Sequence, residues 1–340
     1  KTVAAVIDHA IAVKPDFVLH TGDFFHRPSP YNKALVEAAT QLKRLGDAGI
    51  PFYMIAGNHD LPKSDDTQAI HPLFDLLAEG KIFFDQKYSV LDCGEFVLHA
   101  LPHINFSDKH LEEIEKISVT DRSKPNILMM HLSMPLSVYK EEEPGGGLFP
   151  PEKLGVLVDF DYVALGHWHR FNHIKKYGSV CYSGSTERIN AGEADHDKGF
   201  VEVTIDSGKT NINFVKLETR RYLTIMVNEC STKTREEIIE EITNAINGDD
   251  LSEAVVKVIL DGLTDNQSFE FMLDNVVELT GKCLVLKLIK RKKGEEPVEY
   301  ETGSESLFDR LLGDIRKSFK DDDDFNKFKL EATELFEEFL

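Results

Sequence analysis

Five residues have the chemistry of metal ligands, and each follows an apolar run: Asp23, Asn58, His131, His167 and His169. Metal-assisted hydrolysis of a phosphoester needs hard oxygen ligands and neutral imidazoles around two cations about 3.5–4 Å apart. The two carboxylate oxygens of Asp23 can bridge two ions. Asn58, His131 and His167 can complete one metal site, and His169 can serve the other. A single histidine is more often structural, but an ordered set of this kind is far more specific.

The helices and strands predicted from the apolar pattern place these residues at strand ends. Pro15 ends a helical period, and an apolar run then leads into Thr-Gly-Asp. The predicted helices cover 1–13 and about 32–46, and the predicted strands cover 17–20, 51–56, 127–130 and 162–165. Strands that alternate with helices predict an α/β sheet, whose binding sites gather outside the carboxyl ends of the strands.

The second half of the chain has a different pattern. Between about 175 and 217, residues alternate with a period of two, which predicts an antiparallel layer and a first domain over 1–219. Residues 220–289 predict a small α+β domain. The charged residues that begin at Lys290 predict an exposed linker over 290–303.

The composition excludes several classes of protein. The chain has 340 residues and a net charge of −20, which argues against binding nucleic acid over its whole surface. No apolar run approaches the ~18 residues of a membrane helix, so we expect no membrane association. The four cysteines stand far apart, which favours a reducing compartment.

Four motifs resemble the signature of calcineurin-like metallophosphoesterases: Gly-Asp-Phe-Phe-His at 22–26, Gly-Asn-His-Asp at 57–60, the lone His131, and Gly-His-Trp-His at 166–169. The form of the first motif and the stretch 182–200 are more specific, and resemble the meiotic-recombination-eleven (SbcD-type) DNA double-strand-break repair nucleases. This resemblance implies an α/β fold with a metallophosphoesterase β-sandwich flanked by helices. It also implies that 220–289 caps the DNA and that a C-terminal helical hairpin follows.

By the same resemblance, Asp23 bridges two Mn²⁺ ions, Asn58, His131 and His167 bind one of them, and His169 binds the other. His59 would stabilise or protonate the departing DNA 3′-oxygen, and His26 would position the scissile phosphate. From the residues themselves, Asp60 next to His59 could hold that ring and keep it cationic, which would stabilise a developing alkoxide.

The family's first motif, an Asp-x-His after the opening strand, has no counterpart before Asp23. Asp8 and His9 are no substitute, because they are adjacent and lie within a predicted helix. We interpret this as a missing N-terminal strand and loop, and we expect weak binding of the second metal. A natural loss of activity is the alternative.

DNA contacts are expected from local basic residues beside the motifs: Arg27, Lys63, Arg170 and Arg188. Each could equally be an ordinary solvated side chain.

The C-terminal segment 304–340 has two helical apolar stripes, which predict a helix hairpin. A lone hairpin returns less free energy from apolar burial than its ordering costs, so it needs another surface. In the family that surface is the coiled-coil base of an SMC-like ABC ATPase (SbcC type). The expected anchors are Phe308, Leu312, Phe328 and Phe336. The alternative is a hairpin packed on its own protein.

The family resemblance implies a Mn²⁺-dependent nuclease for DNA double-strand-break repair, with 3′→5′ exonuclease action on double-stranded ends and endonuclease action on single strands or hairpins. The expected location is the cytoplasm, with the nucleoid, or the nucleus in a eukaryote. We expect a homodimer formed by the segments 32–46 and 67–79, which carry Ile70, Leu73, Phe74, Leu76 and Leu77. The alternatives are a phosphatase or nucleotide phosphodiesterase, and a non-enzymatic platform for the ATPase.

Overall fold

The computed structural model describes residues 1–61, 71–77, 79–105, 107–119, 121–135, 147–246, 248, 250–271, 276, 283–292 and 298–301. The described chain divides into two compact units. The first contains Lys1–Glu187 and His196–Thr219, and the second contains Arg188–Asp195 and the chain from Arg220.

The first unit contains two sheets that face each other. The parallel strands of one are β1 (Val18–His20), β2 (Phe52–Ile55) and β3 (Gly80–Phe83). The other has the order β4-β5-β6-β7-β9-β8, formed by β4 (Ser89–Asp92), β5 (Val97–Leu101), β6 (Asn126–His131), β7 (Tyr162–Gly166), β8 (Asn172–His173) and β9 (Val180–Tyr182). Strands β5, β6, β7 and β9 are parallel to one another, and β4 and β8 are antiparallel edges.

The core between these sheets explains why their strands are apolar on both faces. Ile127 and Met129 of β6 join Ile55 of β2 in one buried cluster between the sheets. Leu128 and Met130 point to the opposite face and belong to another cluster. Strands buried on both faces have continuous apolar runs, which is why the sequence predicted them correctly.

Helices cover both outer faces and complete the sandwich. Two of them, α1 (Thr2–Val13) and α2 (Asn32–Asp47), pack with the 3₁₀ segment His71–Leu76 on the three-stranded sheet. The helix α3 (Ser107–Glu115) and the 3₁₀ segment Pro151–Asp159 pack on the six-stranded sheet. The predicted metallophosphoesterase sandwich flanked by helices is therefore confirmed.

The antiparallel layer predicted after residue 175 is the pair β10 (Gly199–Asp206) and β11 (Lys209–Lys216). Helix α1 contacts this pair, because His9 Nε2 lies 2.7 Å from Glu202 Oε1. Asp8 instead pairs with Arg44 of α2. Both members of Asp8-His9 therefore have structural partners, as expected of residues that replace no metal motif.

The second unit is a small α+β domain with one four-stranded sheet. Its strands are β12 (Tyr222–Val227), β13 (Val255–Leu263), β14 (Val285–Lys292) and β15 (Val298–Glu301), and its helices include α4 (Arg235–Ile246) and α5 (Asp265–Glu270). The first three strands are parallel, and β15 is an antiparallel edge.

Two boundaries of this unit differ from those expected from the sequence. The proposed linker 290–303 contains the end of β14 and the strand β15, because charged residues are typical of edge strands as well as of linkers. Residues 188–195 belong to the second unit, although we placed them in the first domain. The Arg188 guanidinium donates to the Arg220 carbonyl at 2.8 Å, which ties this segment to the start of β12.

Candidate metal centre

The strand ends of the first unit bring four of the predicted ligands to one edge of both sheets. Asp23 lies three residues after β1, and Asn58 three residues after β2. His131 is the last residue of β6, and it pairs with Gly166, the last residue of β7. His167 follows directly. Because the carboxyl ends of parallel strands meet at the same edge, the order of the motifs becomes a cluster in space.

The ligand atoms of this cluster converge. His131 Nε2 lies 3.0 Å from Asn58 Oδ1 and 3.3 Å from Asp23 Oδ2. His167 Nδ1 lies 3.2 Å from the same Asn58 oxygen. Asp23, His131 and His167 each offer one ligand atom, and these three atoms all lie within 4.8 Å of one another.

The hydrogen bond of His131 Nδ1 determines whether Nε2 of the neutral ring carries a hydrogen or a lone pair. His131 Nδ1 lies 2.7 Å from the carbonyl oxygen of Thr21, which can only accept, so Nδ1 carries a hydrogen. In the neutral ring, Nε2 then directs a lone pair at the oxygens of Asn58 and Asp23. Acceptors that face each other at these distances need a positive charge between them. A second-shell hydrogen bond of this kind is typical of histidines that bind metals.

The pKa shifts of Asp23, His131 and His167 are consistent with a site that binds a cation. Burial would raise the pKa of Asp23, but the His131 ring and the His59 amide hold it well below its usual range. Burial opposes protonation of His131, yet the Asp23 carboxylate raises the pKa of that ring. Burial and the nearby His131 lower the pKa of His167 to about 4, so it is a neutral imidazole near pH 7, and its buried Nε2 has no hydrogen-bond partner. These residues fit a divalent metal ion.

Two ligand-bearing positions have left-handed backbone conformations. Asp23 has φ 55° and His167 has φ 94°, a region that few residues other than glycine adopt. Such conformations cost free energy and persist where the surrounding structure determines them, which is typical of functional sites.

The comparisons with known proteins agree with this geometry. The model of the family described as calcineurin-like phosphoesterase matches residues 1–171. The chain belongs to this family. As a family member it is a metal-dependent phosphoesterase, and among the described residues Asp23, His131 and His167 form a cluster that could hold a metal ion.

Three similar curated proteins are each named "DNA double-strand break repair protein Mre11". The protein of Sulfurisphaera tokodaii is 25% identical, over 92% of this chain and 80% of its own length. That of Methanococcus maripaludis is 30% identical, over 64% and 60% respectively. That of Saccharolobus solfataricus is 26% identical, over 76% and 67%. The matches thus span about 60–80% of these relatives.

Asp60 joins the backbones of two motifs. Its support of the His59 ring remains a prediction from the sequence. The buried carboxylate accepts hydrogen bonds from the amides of Phe24, Phe25 and Gly57, at 3.0, 3.3 and 2.9 Å. These bonds tie the loop after β1 to the loop after β2. Asp60 therefore positions both phosphoesterase motifs, and it does so through their backbone.

His59 and His26 lie together at the edge of the cluster. Their rings stack with centroids 5.1 Å apart, and His59 Nδ1 lies 3.0 Å from the carbonyl oxygen of His26. This carbonyl therefore orients the His59 ring through Nδ1. Partial burial and electrostatic interactions with the neighbouring His59 and Arg27 lower the pKa of His26.

The remaining predicted residues are more dispersed. His169 is partly buried and lies outside the three-residue cluster. Arg27 stacks over the Tyr31 ring at 4.6 Å, and Arg170 is exposed. Arg188 donates to the carbonyls of Glu193, Ala194 and Arg220. Lys63 lies outside the described residues.

Two buried residues near the site were missed from the sequence. His103 is 5% exposed, its ring lies 6.4 Å from that of His131, and burial lowers its pKa to about 4. It follows the apolar run of β5, so the pattern that identified His131 could have identified it. Lys198 is 1% exposed and donates to the His169 carbonyl at 2.7 Å. No sequence pattern predicts a buried lysine.

Gly57 provides a direct test of how tightly the cluster is packed. An added Cβ would lie 2.7 Å from His131 Cε1 and would clash with the Asp23 carboxylate and amide. We expect Gly57→Ala to displace both ligands, lose bound metal and cost about 1–3 kcal/mol of unfolding free energy. Metal content after dialysis and a thermal melt measure the two effects.

Gly155→Ala is the matched control, because its added Cβ meets no atom within 4 Å. It should leave metal content unchanged. Normal metal content in Gly57→Ala would show that the cluster is not packed as described.

Proposed function

We propose that the chain is a Mn²⁺-dependent DNA nuclease of double-strand-break repair, with 3′→5′ exonuclease action on double-stranded ends and endonuclease action on single strands or hairpins. The observation that supports this most is the set of converging acceptors formed by the partly buried Asp23 and Asn58 and the buried His131 and His167. Family membership supports the assignment of that set to the phosphoesterase centre. The names of the similar proteins favour DNA ends as the substrate.

The proposed metal ligands divide into two sets that share Asp23. Asn58, His131 and His167 would bind one ion, and His169 would bind the other. Oxygen and imidazole ligands without a thiolate suit Mn²⁺. When bound, two ions polarise a phosphodiester and lower the pKa of a water molecule.

His59 is proposed to protonate or stabilise the departing 3′-oxygen. Its Nδ1 faces the His26 carbonyl, which can only accept, so Nδ1 carries a hydrogen. A protonated ring therefore has its second N–H at Nε2, available to a leaving group. The contact fixes the orientation of the ring without using a metal ligand.

His26 is proposed to position the scissile phosphate. It is exposed, it stacks on His59, and it lies three residues after Asp23, so one phosphate could contact both histidines and the metal centre. Arg27 and Arg170 would add local positive charge beside the motifs of a chain that is strongly negative overall. Phosphate contacts of this kind hold DNA without reading its sequence.

The variant His59→Ala distinguishes the two roles proposed for histidines in this site, which are metal binding and protonation or stabilisation of the departing 3′-oxygen. Cleavage of DNA should fall by about 10²–10⁴-fold, the usual contribution of a general acid or base, while Mn²⁺ content stays at the wild-type level. Metal analysis and a nuclease assay on the same preparation measure both. His173→Ala, on β8, is the control and should be neutral in both assays.

Loss of Mn²⁺ from His59→Ala would mean that this residue is a ligand. Wild-type hydrolysis of p-nitrophenyl phosphoesters with none of DNA would instead favour a small-molecule phosphoesterase.

A homodimer is proposed through α2 and the 3₁₀ segment His71–Leu76. Large apolar side chains are exposed on both: Val36 is 66% exposed, Leu73 46% and Leu76 80%. Phe74, which we had assigned to this surface, is 1% exposed and belongs to the core, and Leu77 packs against the same core. Ile70 lies outside the described residues. The proposed dimer surface therefore has fewer apolar residues than the sequence predicted.

An SMC-like ABC ATPase is proposed as the partner of residues 304–340. The whole segment lies outside the described residues, including Phe308, Leu312, Phe328 and Phe336, so the proposal depends on the two apolar stripes of its sequence and on the family resemblance. Because β15 ends at Glu301, a truncation that tests the segment must leave this strand in place.

Truncation after Gly303 should abolish co-purification with the ATPase and leave the metal content and melting temperature of the remaining chain unchanged. Truncation after Gly294 is the comparison, because it also removes β15 from its pairing with β14 and should destabilise the second unit. If the chain truncated after Gly303 binds the ATPase with unchanged affinity, the attachment lies elsewhere. If the chain truncated after Gly303 unfolds, residues 304–340 belong to the core.

A further inference from the structure

Lys198 places a charged ammonium in the interior of the first unit. Its side chain is among the largest that are fully buried. The Nζ atom donates to the carbonyl oxygen of His169 at 2.7 Å and to Ser185 Oγ at 2.8 Å. An ammonium is costly to bury unless hydrogen bonds compensate it, so these contacts hold the side chain in one position.

The carbonyl of His169 receives further support from the turn at 183–185. The Ser185 amide donates to it at 3.2 Å, and the Ser185 hydroxyl lies at 3.4 Å. Gly184 has φ 78°, and a Cβ there would lie 2.8 Å from the Phe171 amide nitrogen. The backbone after β7 is therefore enclosed by this turn and by the ammonium.

Lys198 is itself anchored by the β10–β11 pair. Its carbonyl oxygen accepts from the Leu217 amide at 2.8 Å, and the next residue, Gly199, begins β10 and pairs with Lys216. Lys198 thus connects the β10–β11 pair to the carbonyl oxygen of His169 through a hydrogen bond of its ammonium group. His167, two residues earlier, is fixed at the other end by its place after β7.

We propose that Lys198 is a positioning residue for His169, which sets the affinity of the second metal site by fixing the backbone from which that imidazole projects. Lys198 itself contacts neither metal nor DNA in this role. The inference rests on the proposed function, in which His169 binds the second ion. Residues that support a ligand in this way typically change metal affinity by about 10–100-fold when they are removed.

The test is a Mn²⁺ titration of the full chain, followed by electron paramagnetic resonance of free Mn²⁺ and by metal analysis. Lys198→Met should raise the dissociation constant of the weaker site by about 10–100-fold and leave the tighter site unchanged. Ser185→Ala removes one acceptor of the ammonium and should raise the dissociation constant of the same site by a smaller factor. If Lys198→Met does not fold, Ser185→Ala tests the positioning role in its place.

Lys290→Met is the matched control. Lys290 is also buried, at 6% exposure, and its Nζ donates to the Ser268 carbonyl at 2.7 Å, but it belongs to the second unit. It should leave both Mn²⁺ constants unchanged. An equal shift in Lys290→Met would attribute the effect to general destabilisation and overturn the proposal, as would unchanged constants in both Lys198→Met and Ser185→Ala.

His169→Ala separates this inference from the proposed function. It should lose the weaker ion. If it keeps both ions, or if the wild-type chain binds only one at saturating Mn²⁺, the ligand assignment fails and this inference fails with it. If His169→Ala loses the ion while Lys198→Met and Ser185→Ala bind it normally, only the positioning role is wrong.

Discussion

The mutual approach of acceptor atoms around His131 is the constraint on which the rest of the first unit depends. The Thr21 carbonyl accepts a hydrogen bond from Nδ1, and Nε2 faces the oxygens of Asn58 and Asp23 at 3.0 and 3.3 Å. A buried arrangement of this kind is unfavourable unless a proton or a metal ion lies within it. The Asp23 carboxylate raises the pKa of His131, and a divalent ion between these atoms would also supply positive charge.

The surrounding fold keeps these atoms from moving apart. The backbone amides that Asp60 binds belong to the loops after β1 and β2, so neither loop can shift alone. Gly57 leaves no room between Asp23 and His131. Since β6 and β7 are paired up to His131 and Gly166, the six-stranded sheet fixes the histidine side of the cluster. The site therefore draws its rigidity from both sheets.

The sequence predicted the cluster because its residues follow buried strands. A polar residue after an apolar run is readable without a structure, and Asp23, Asn58, His131 and His167 all have this property. The roles of Asp60 and Lys198 could not be read, because both depend on backbone groups distant in sequence: Asp60 on the amides of Phe24 and Phe25, and Lys198 on the carbonyl of His169. Strand β15 was taken for a linker because charge on an edge strand resembles charge in a loop.

The central claim is that one carboxylate serves two metal ions, and Mn²⁺ stoichiometry tests it most directly. Asp23→Ala should lose both ions together, because Asp23 belongs to each proposed ligand set. Asp92→Ala, which removes an exposed carboxylate paired with Lys124, should keep the wild-type content. Retention of both ions by Asp23→Ala, or loss of only one, would contradict the bridging role and with it the two-metal account of this phosphoesterase.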